Sequence, residues 1–444
     1  MANASPDIKS GRLSKDEIDR NFGDLHPPLS RSEALIAADR CYFCYDAPCT
    51  TACPTGIDIP GFIQKIRSDN IRGSAYTILS ENIMGGMCAR VCPTEVLCEE
   101  VCVRNTHEDK PVDIGLLQRF ATDPIFENGT QLFERAESTG KKLAIVGGGP
   151  AGLSCAHRLS MLGHEVVVFS RDGKLGGLNE YGIAAYKTVD GFAQSEVNYI
   201  LSIGGITVQN NTALGEDFSL DELRKEYDAV FLGVGLGSVN ELGVDNDELP
   251  GVLNAIEYIA DLRQATDLSA LPVGKTVVVV GGGMTAIDIA VQSKRLGADT
   301  VNIVYRRGPE QMGASQFEQD LAHTSGVGIY HWAQPLRVFG DDHVTGIEFA
   351  RTELDGSGAL VATDESLAFA ADTVFKAIGQ KLESDTLDKL QMERGRIIVD
   401  KNQKTSLDDV WAGGDCIKGG DDLTVSAVQH GKLAAIAIHK QLSG

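Results

Sequence analysis

The 444-residue chain has no apolar run close to the roughly 20 residues that a membrane-spanning helix needs. Its opening Met1-Ala-Asn-Ala-Ser-Pro-Asp lacks the basic-then-apolar order of an export signal, so the expectation is a soluble, cytoplasmic protein with no membrane partner. Positive charge is scarce: 40 basic against 62 acidic side chains leave a formal net charge of −22. Such a surface repels phosphate backbones and argues against a nucleic-acid partner. No short repeat, low-complexity tract or block of like charge occurs. His157, His323 and His430 have no partner at metal-ligand spacing. The two late cysteines, Cys155 and Cys416, form no Cys-x-x-Cys pair, which excludes a thioredoxin-reductase-type dithiol; both read as packing.

Glycine and cysteine are what the chain has in unusual amount or arrangement. The 49 glycines exceed the usual share of about 7%, and many cluster after apolar runs. Of the 10 cysteines, eight lie between Cys41 and Cys102. Without an export signal, such clustering favours metal or redox sites over a disulfide framework.

Apolar residues three and four apart, as in Ile59-Pro-Gly-Phe-Ile-Gln-Lys-Ile and Ala75-Tyr-Thr-Ile-Leu, predict a helical first domain over residues 1–135. Its core is thin, and its cysteines must share in holding it. The pattern changes at Lys141. A strand, Lys141-Lys-Leu-Ala-Ile-Val, runs into Gly147-Gly-Gly-Pro-Ala-Gly, then a helix from Leu153 to Leu162, then the strand Glu165-Val-Val-Val-Phe. The same order recurs: Lys275-Thr-Val-Val-Val-Val, Gly281-Gly-Gly-Met-Thr-Ala, a helix through Ala290 to Leu296, and Thr300-Val-Asn-Ile-Val-Tyr. Near the end, Gly413-Gly-Asp415 returns to the glycine-and-acid chemistry of a flavin site. The expected fold is α/β: a helical iron–sulfur domain followed by two Rossmann-like nucleotide-binding domains, the second inserted into the first. The flavin domain would span 136–260 and 380–444, and the NAD(P) domain 261–379.

In a loop of this kind the first glycine permits the bend, the second lets backbone approach the pyrophosphate, and the third lets helix pack on strand. Gly147, Gly149 and Gly152 fill these places in one copy; Gly281, Gly283 and Ala286 fill them in the other. Pro150, Ala151, Met284 and Thr285 open the helices, and Gly177 and Leu178 follow the second strand; all are cofactor-binding candidates. Gly414, Asp415 and Thr424 form a turn and helix start where an acid can bind a ribityl hydroxyl and a helix N-terminus can face the flavin ring. The end of each second strand ordinarily carries an acid for the ribose. The first has Ser170 instead. The second has Arg306 and Arg307, which suit a 2′-phosphate and favour NADPH.

The cysteines run Cys41-x2-Cys44-x4-Cys49-x3-Cys53-Pro54, then Cys88-x3-Cys92-Pro93-x5-Cys98-x3-Cys102. Short runs ending in Cys-Pro are typical of ferredoxin-like iron–sulfur binding, and eight thiolates suffice for two [4Fe–4S] clusters. Zinc is the alternative, although its sites more often use pairs with two-residue gaps. No acid–base catalyst is assigned, because hydride and electron chemistry belongs to the cofactors.

With these residues in hand, the chain from about Cys41 to Lys432 resembles the flavin and iron–sulfur electron-input subunits related to the glutamate synthase small subunit. Within that group it is most similar to the N-terminal half of dihydropyrimidine dehydrogenase and its separate bacterial counterpart. The similarity rests on the segments Cys41–Ile59, Met87–Cys98 and Pro111-Val-Asp-Ile-Gly-Leu-Leu-Gln-Arg-Phe-Ala-Thr. The last carries Gln118 where that family uses a glutamine ligand. The resemblance implies one cluster on Cys41, Cys44, Cys49 and Cys102 and another on Cys53, Cys92, Cys98 and Gln118, with Cys88 spare. It implies FAD, NAD(P)H and a PreA-like partner subunit carrying FMN and clusters, in a hetero-oligomer, which reduces uracil or thymine. The alternative that it leaves is a glutamate synthase small subunit or related electron-transfer subunit.

Overall fold

The computed structural model describes residues 7–443, and these form two compact units. The larger is made of His26–Glu180, Lys187–Gly237 and the chain from Leu382; the smaller is made of Ser238–Lys381, Tyr181–Tyr186 and the described residues up to Leu25.

The larger unit is built around a parallel five-stranded sheet. Its spatial order is Val410–Ala412, Ala229–Leu232, Lys142–Val146, Glu165–Ser170 and Ile206–Asn210. The central strands are short apolar runs because helices and loops cover both faces, as parallel pairing requires. Val146 pairs with both Phe169 and Leu232, which sets the register at the strand ends where the glycine loop begins. The edge strand Val410–Ala412 reaches this sheet only after the chain has built the smaller unit, so the insertion expected from the sequence is the observed topology. The helices Pro150–Met161 and Thr424–Leu442 lie against each other. A Cβ on Gly431 would stand 2.1 Å from the Ala151 carbonyl oxygen, so only glycine allows that approach.

Helices at Arg31–Asp39, Ile59–Arg67, Ile71–Glu81, Gly85–Val91 and Ile114–Glu127 make the helical part of this unit. Side chains of Ser30, Asp58 and Asn70 accept backbone N–H bonds at three of their N-termini, which fixes where those helices start. Ala34, Ala38, Phe62, Ile63, Ile78, Leu117 and Ala121 are completely buried in a small core, and Cys41, Cys49, Cys53 and Cys102 pack against it.

The smaller unit has its own parallel sheet, in the order Val252–Asn254, Thr373–Ala377, Thr276–Gly281, Thr300–Val304, Gly328–Tyr330. It also has an antiparallel sheet of Ala333–Gly340, Val344–Leu354 and Leu360–Ala370, which the sequence reading did not anticipate. The chain enters and leaves side by side: Ser238–Val239 pairs with Gln380–Lys381. Ile18 and Phe22, on a helix capped by Ser14, bury in this unit's core with Val277, Ile287 and Ile289. That packing places the described residues up to Leu25 in this unit, whereas the sequence predicts them as part of a helical domain over 1–135.

Candidate cofactor and cluster sites

The first loop is shaped by backbone that no side chain could share. Gly147 has φ +105°, and a Cβ there would stand 2.2 Å from the Gly233 carbonyl oxygen; one on Gly152 would stand 1.9 Å from the Gly147 oxygen. Gly149 caps the helix that Pro150 begins, and Ala151 follows inside it. Gly177 meets this turn from the strand side, its Cβ position 2.8 Å from the Gly149 Cα, just before the helical turn that starts at Leu178. Gly414, at φ +89°, lies over Ala151 and donates its N–H to His430 Nδ1 at 3.2 Å. Burial, with Asp422 adding to it, pushes the Asp415 carboxyl up to about 6. Thr424 opens the long last helix and donates from Oγ1 to Asn179 Oδ1 at 2.6 Å. Asn179 is buried and belonged to no motif. Ser170 is buried beneath Gly148.

The cysteines gather in two groups. Cys41, Cys44, Cys49 and Cys102 line one cavity, whose walls are otherwise largely apolar: Pro48, Ile59, Pro60, Ile63, Val112 and Ile114. Arg104 also lines it and stacks over Tyr42 at 3.8 Å. Burial raises the Cys41 thiol and pushes that of Cys49 up to about 11, with neighbouring thiols adding to the effect. Ionising the Cys41 and Cys49 thiols here is therefore costly unless a bound cation compensates. In the second group, burial holds the Cys92 thiol far up, and Cys88, Cys98 and Cys53 are the neighbours that add to it. Gln118 is buried on Ile114–Glu127, and its Nε2 donates to the Gly85 oxygen at 2.7 Å. That bond uses one amide hydrogen, and the side-chain oxygen is the end with ligand capacity. Cys88 is buried beside this group, so geometry alone does not mark it as spare.

The helices Ile71–Glu81 and Gly85–Val91, with the turn between them, join these features. Met84 accepts from Asn179 Nδ2 at 3.7 Å, and Met87 from Thr188 Oγ1 at 3.6 Å. Lys432, on the last helix, donates to Thr55 O at 2.9 Å and pairs with Glu81 at 2.8 Å. None of these contacts had a sequence signal.

The second loop, in the smaller unit, repeats the first. Gly281 has φ +148°, and a Cβ there would stand 2.1 Å from the Ala377 oxygen. Gly283, the N-cap of Met284–Arg295, would place a Cβ in open space, and Thr285 lies in that helix's first turn. Ala286 is buried where the first loop has its third glycine. The backbones of Arg306 and Arg307 are pinned, the carbonyl oxygens accepting from Thr352 Oγ1 (2.8 Å) and Trp332 N–H (3.1 Å). Their side chains are exposed, and among the described residues neither guanidinium has an ion-pair partner.

Residues 141–431 match the pyridine nucleotide-disulphide oxidoreductase family, and residues 18–130 match dihydropyrimidine dehydrogenase domain II, 4Fe-4S cluster. The chain is 34% identical over 421 residues to the Escherichia coli K12 NAD-dependent dihydropyrimidine dehydrogenase subunit PreT, covering 95% of this chain and 97% of that one. It is 36% identical over 443 residues to the Escherichia coli K12 glutamate synthase [NADPH] small chain, covering 94% and 93%. Among solved structures, Mycobacterium tuberculosis FprA in complex with NADPH is similar at TM-score 0.57 and 19% identity, over 68% of this chain and 84% of that chain. T. acidophilum thioredoxin reductase is similar at TM-score 0.54 and 19% identity, over 68% of this chain and 100% of that chain. These two likenesses concern the fold. No helix among the described residues is long and apolar enough to cross a membrane.

Proposed function

Because the chain belongs to the pyridine nucleotide-disulphide oxidoreductase family, with a dihydropyrimidine dehydrogenase-type iron–sulfur segment before the flavoprotein body, we propose that it is the electron-input subunit of a dihydropyrimidine dehydrogenase. It takes electrons from NAD(P)H, through FAD and [4Fe–4S] clusters, to an FMN-containing PreA-like partner that reduces uracil or thymine. One observation carries the reading: four thiols line one cavity in the same compact unit as the first glycine cradle. Four thiols lining one cavity suit a bound iron–sulfur cluster.

The bound groups supply hydride acceptance at the flavin and single-electron carriage at the clusters. The chain supplies position and electrostatics. Gly147, Gly149 and Gly152 clear backbone room for the FAD pyrophosphate at the N-terminus of Pro150–Met161, with Gly177 closing the turn. Gly414 and Asp415 would hold the ribityl side, and the N-terminus of Thr424–Leu442 would supply a positive dipole end to a reduced flavin. Cys41, Cys44, Cys49 and Cys102 hold the first cluster, and Cys53, Cys92, Cys98 and Gln118 the second. Gly281, Gly283 and Ala286 receive the pyridine nucleotide.

Arg306 and Arg307 grip a 2′-phosphate. A charge-assisted hydrogen bond contributes about 1.5–3 kcal/mol, so replacing both by serine should raise KM for NADPH by roughly tenfold or more and leave that for NADH nearly unchanged. Equal changes for the two nucleotides would make this pair a solvated strand end.

Anaerobic co-purification with a tagged chain tests the whole reading. The expected companion is an FMN-containing subunit, and the pair should oxidise NAD(P)H only when uracil or thymine is added. The 36% identity to the glutamate synthase small chain supports a second reading, in which a large glutamine amidotransferase subunit co-purifies instead.

A further inference from the structure

Glu196 lies on the helix Phe192–Leu201, is fully buried, and belongs to no motif. Its Oε1 accepts from the backbone N–H groups of Gly86 (2.9 Å) and Met87 (3.0 Å), in the opening turn of Gly85–Val91. Its Oε2 is buried with no hydrogen-bond partner.

Few charged groups face it. Arg90, from Gly85–Val91, is the cation that acts on it, but that guanidinium is already committed. It donates to Gly86 O and Asp123, each at 3.0 Å, and stacks 3.5 Å over the Phe192 ring. Asp123, from Ile114–Glu127, adds a like charge and is itself bound by Arg119. Cys88 brings a buried thiol that senses both Glu196 and Cys53. Phe126 and Phe192 crowd the same turn as apolar walls. Burial therefore pushes the Glu196 carboxyl up to about 8, against the pull of its two backbone donors and Arg90.

We propose that Glu196 is a positioning residue for the second thiolate group and the proton acceptor that accompanies its reduction. It fixes the turn leading into Cys88 and Cys92, and in its ionised form it takes one proton at Oε2 when an electron arrives at the neighbouring centre. The proposal rests on the reading that Cys53, Cys92, Cys98 and Gln118 hold an iron–sulfur centre. An added negative charge in this apolar surrounding raises the affinity of a nearby carboxylate for a proton. The electron comes from NAD(P)H through the flavin, whose reoxidation releases the proton. One O–H bond forms, at Oε2, and it breaks again when the centre passes its electron on.

Reductive titration of the holoprotein from about pH 6 to 10, followed by the EPR signals of the centres, reads this directly. One of two midpoint potentials should fall with pH on the alkaline side of about 8, where the carboxyl is ionised before reduction. The limiting slope is tenfold in the redox equilibrium per pH unit, about 59 mV for one electron. Glu196→Gln keeps an oxygen for the two N–H donors, and should keep its iron and flavin while losing the slope. A wild-type slope in the Gln variant, or potentials flat with pH in the wild type, overturns the proposal. The wild-type measurement stands by itself if the variant does not fold. Iron and acid-labile sulfide sufficient for only one cluster would instead overturn the reading beneath the proposal, and chemical analysis separates that failure from a flat potential.

Discussion

A Cys102→Ser variant is expected to lose about half of the protein's iron and acid-labile sulfide and to slow electron exit at least ~100-fold, while NAD(P)H still bleaches the flavin at its normal rate. Cys41, Cys44 and Cys49 come from one short stretch, whereas Cys102 reaches their cavity from the far end of the segment. Losing it removes both a soft ligand and the clip that closes the intervening loop, and a serine oxygen replaces neither. The helical core is small and these cysteines pack against it, so the variant should also melt at lower temperature. Cys155→Ser is the control. That thiol is buried in the helix Pro150–Met161 away from both groups, and its replacement should leave iron unchanged. Full iron in the Cys102 variant would sink the ligand assignment; loss of flavin reduction along with the iron would show that the two steps are not separable.

Replacing Gly147 by valine is expected to yield a protein without flavin that keeps only the brown absorbance of its clusters. The new Cβ would stand 2.2 Å from a backbone oxygen of Gly233, which cannot swing aside as a side chain could, and φ +105° is strained for any L-residue. Strain of this kind costs roughly 1–3 kcal/mol before the clash is counted. The loop must move, and the pyrophosphate cradle moves with it. The flavin-to-protein ratio should fall to near zero with a drop in Tm. Gly283→Ala makes the opposite case. Its Cβ meets nothing, so Tm should hold, yet the methyl fills the open side where a pyrophosphate approaches, and KM for the pyridine nucleotide should rise about tenfold. A fall in Tm in the alanine variant with KM unchanged would refute the division between the two glycines.

The amino-acid order by itself determined a good deal. Two strand–glycine–helix–strand repeats with an acid-and-glycine turn far downstream required two nucleotide folds, one interrupting the other, because an interrupted sheet must be completed after the insertion. The cysteine spacing placed metal chemistry in the first segment. Spacing did not divide the eight cysteines, and the partition with Gln118 came from resemblance; the structure brings Cys88 close to Cys53 and Cys92 all the same. The antiparallel sheet over Ala333–Ala370 has no clear sequence signal because polar residues interrupt each strand, Arg337 in the first, Glu348 and Arg351 in the second and Thr363–Ser366 in the third, which leaves only short apolar runs. Only the tertiary structure could bring Asn179 to Thr424, Lys432 to Glu81, or Glu196 to the turn at Gly86 and Met87. Periodicity reports which face of an element is buried. It says nothing of which buried polar group, from a distant element, satisfies a given backbone donor, and that pairing is fixed only when the elements pack.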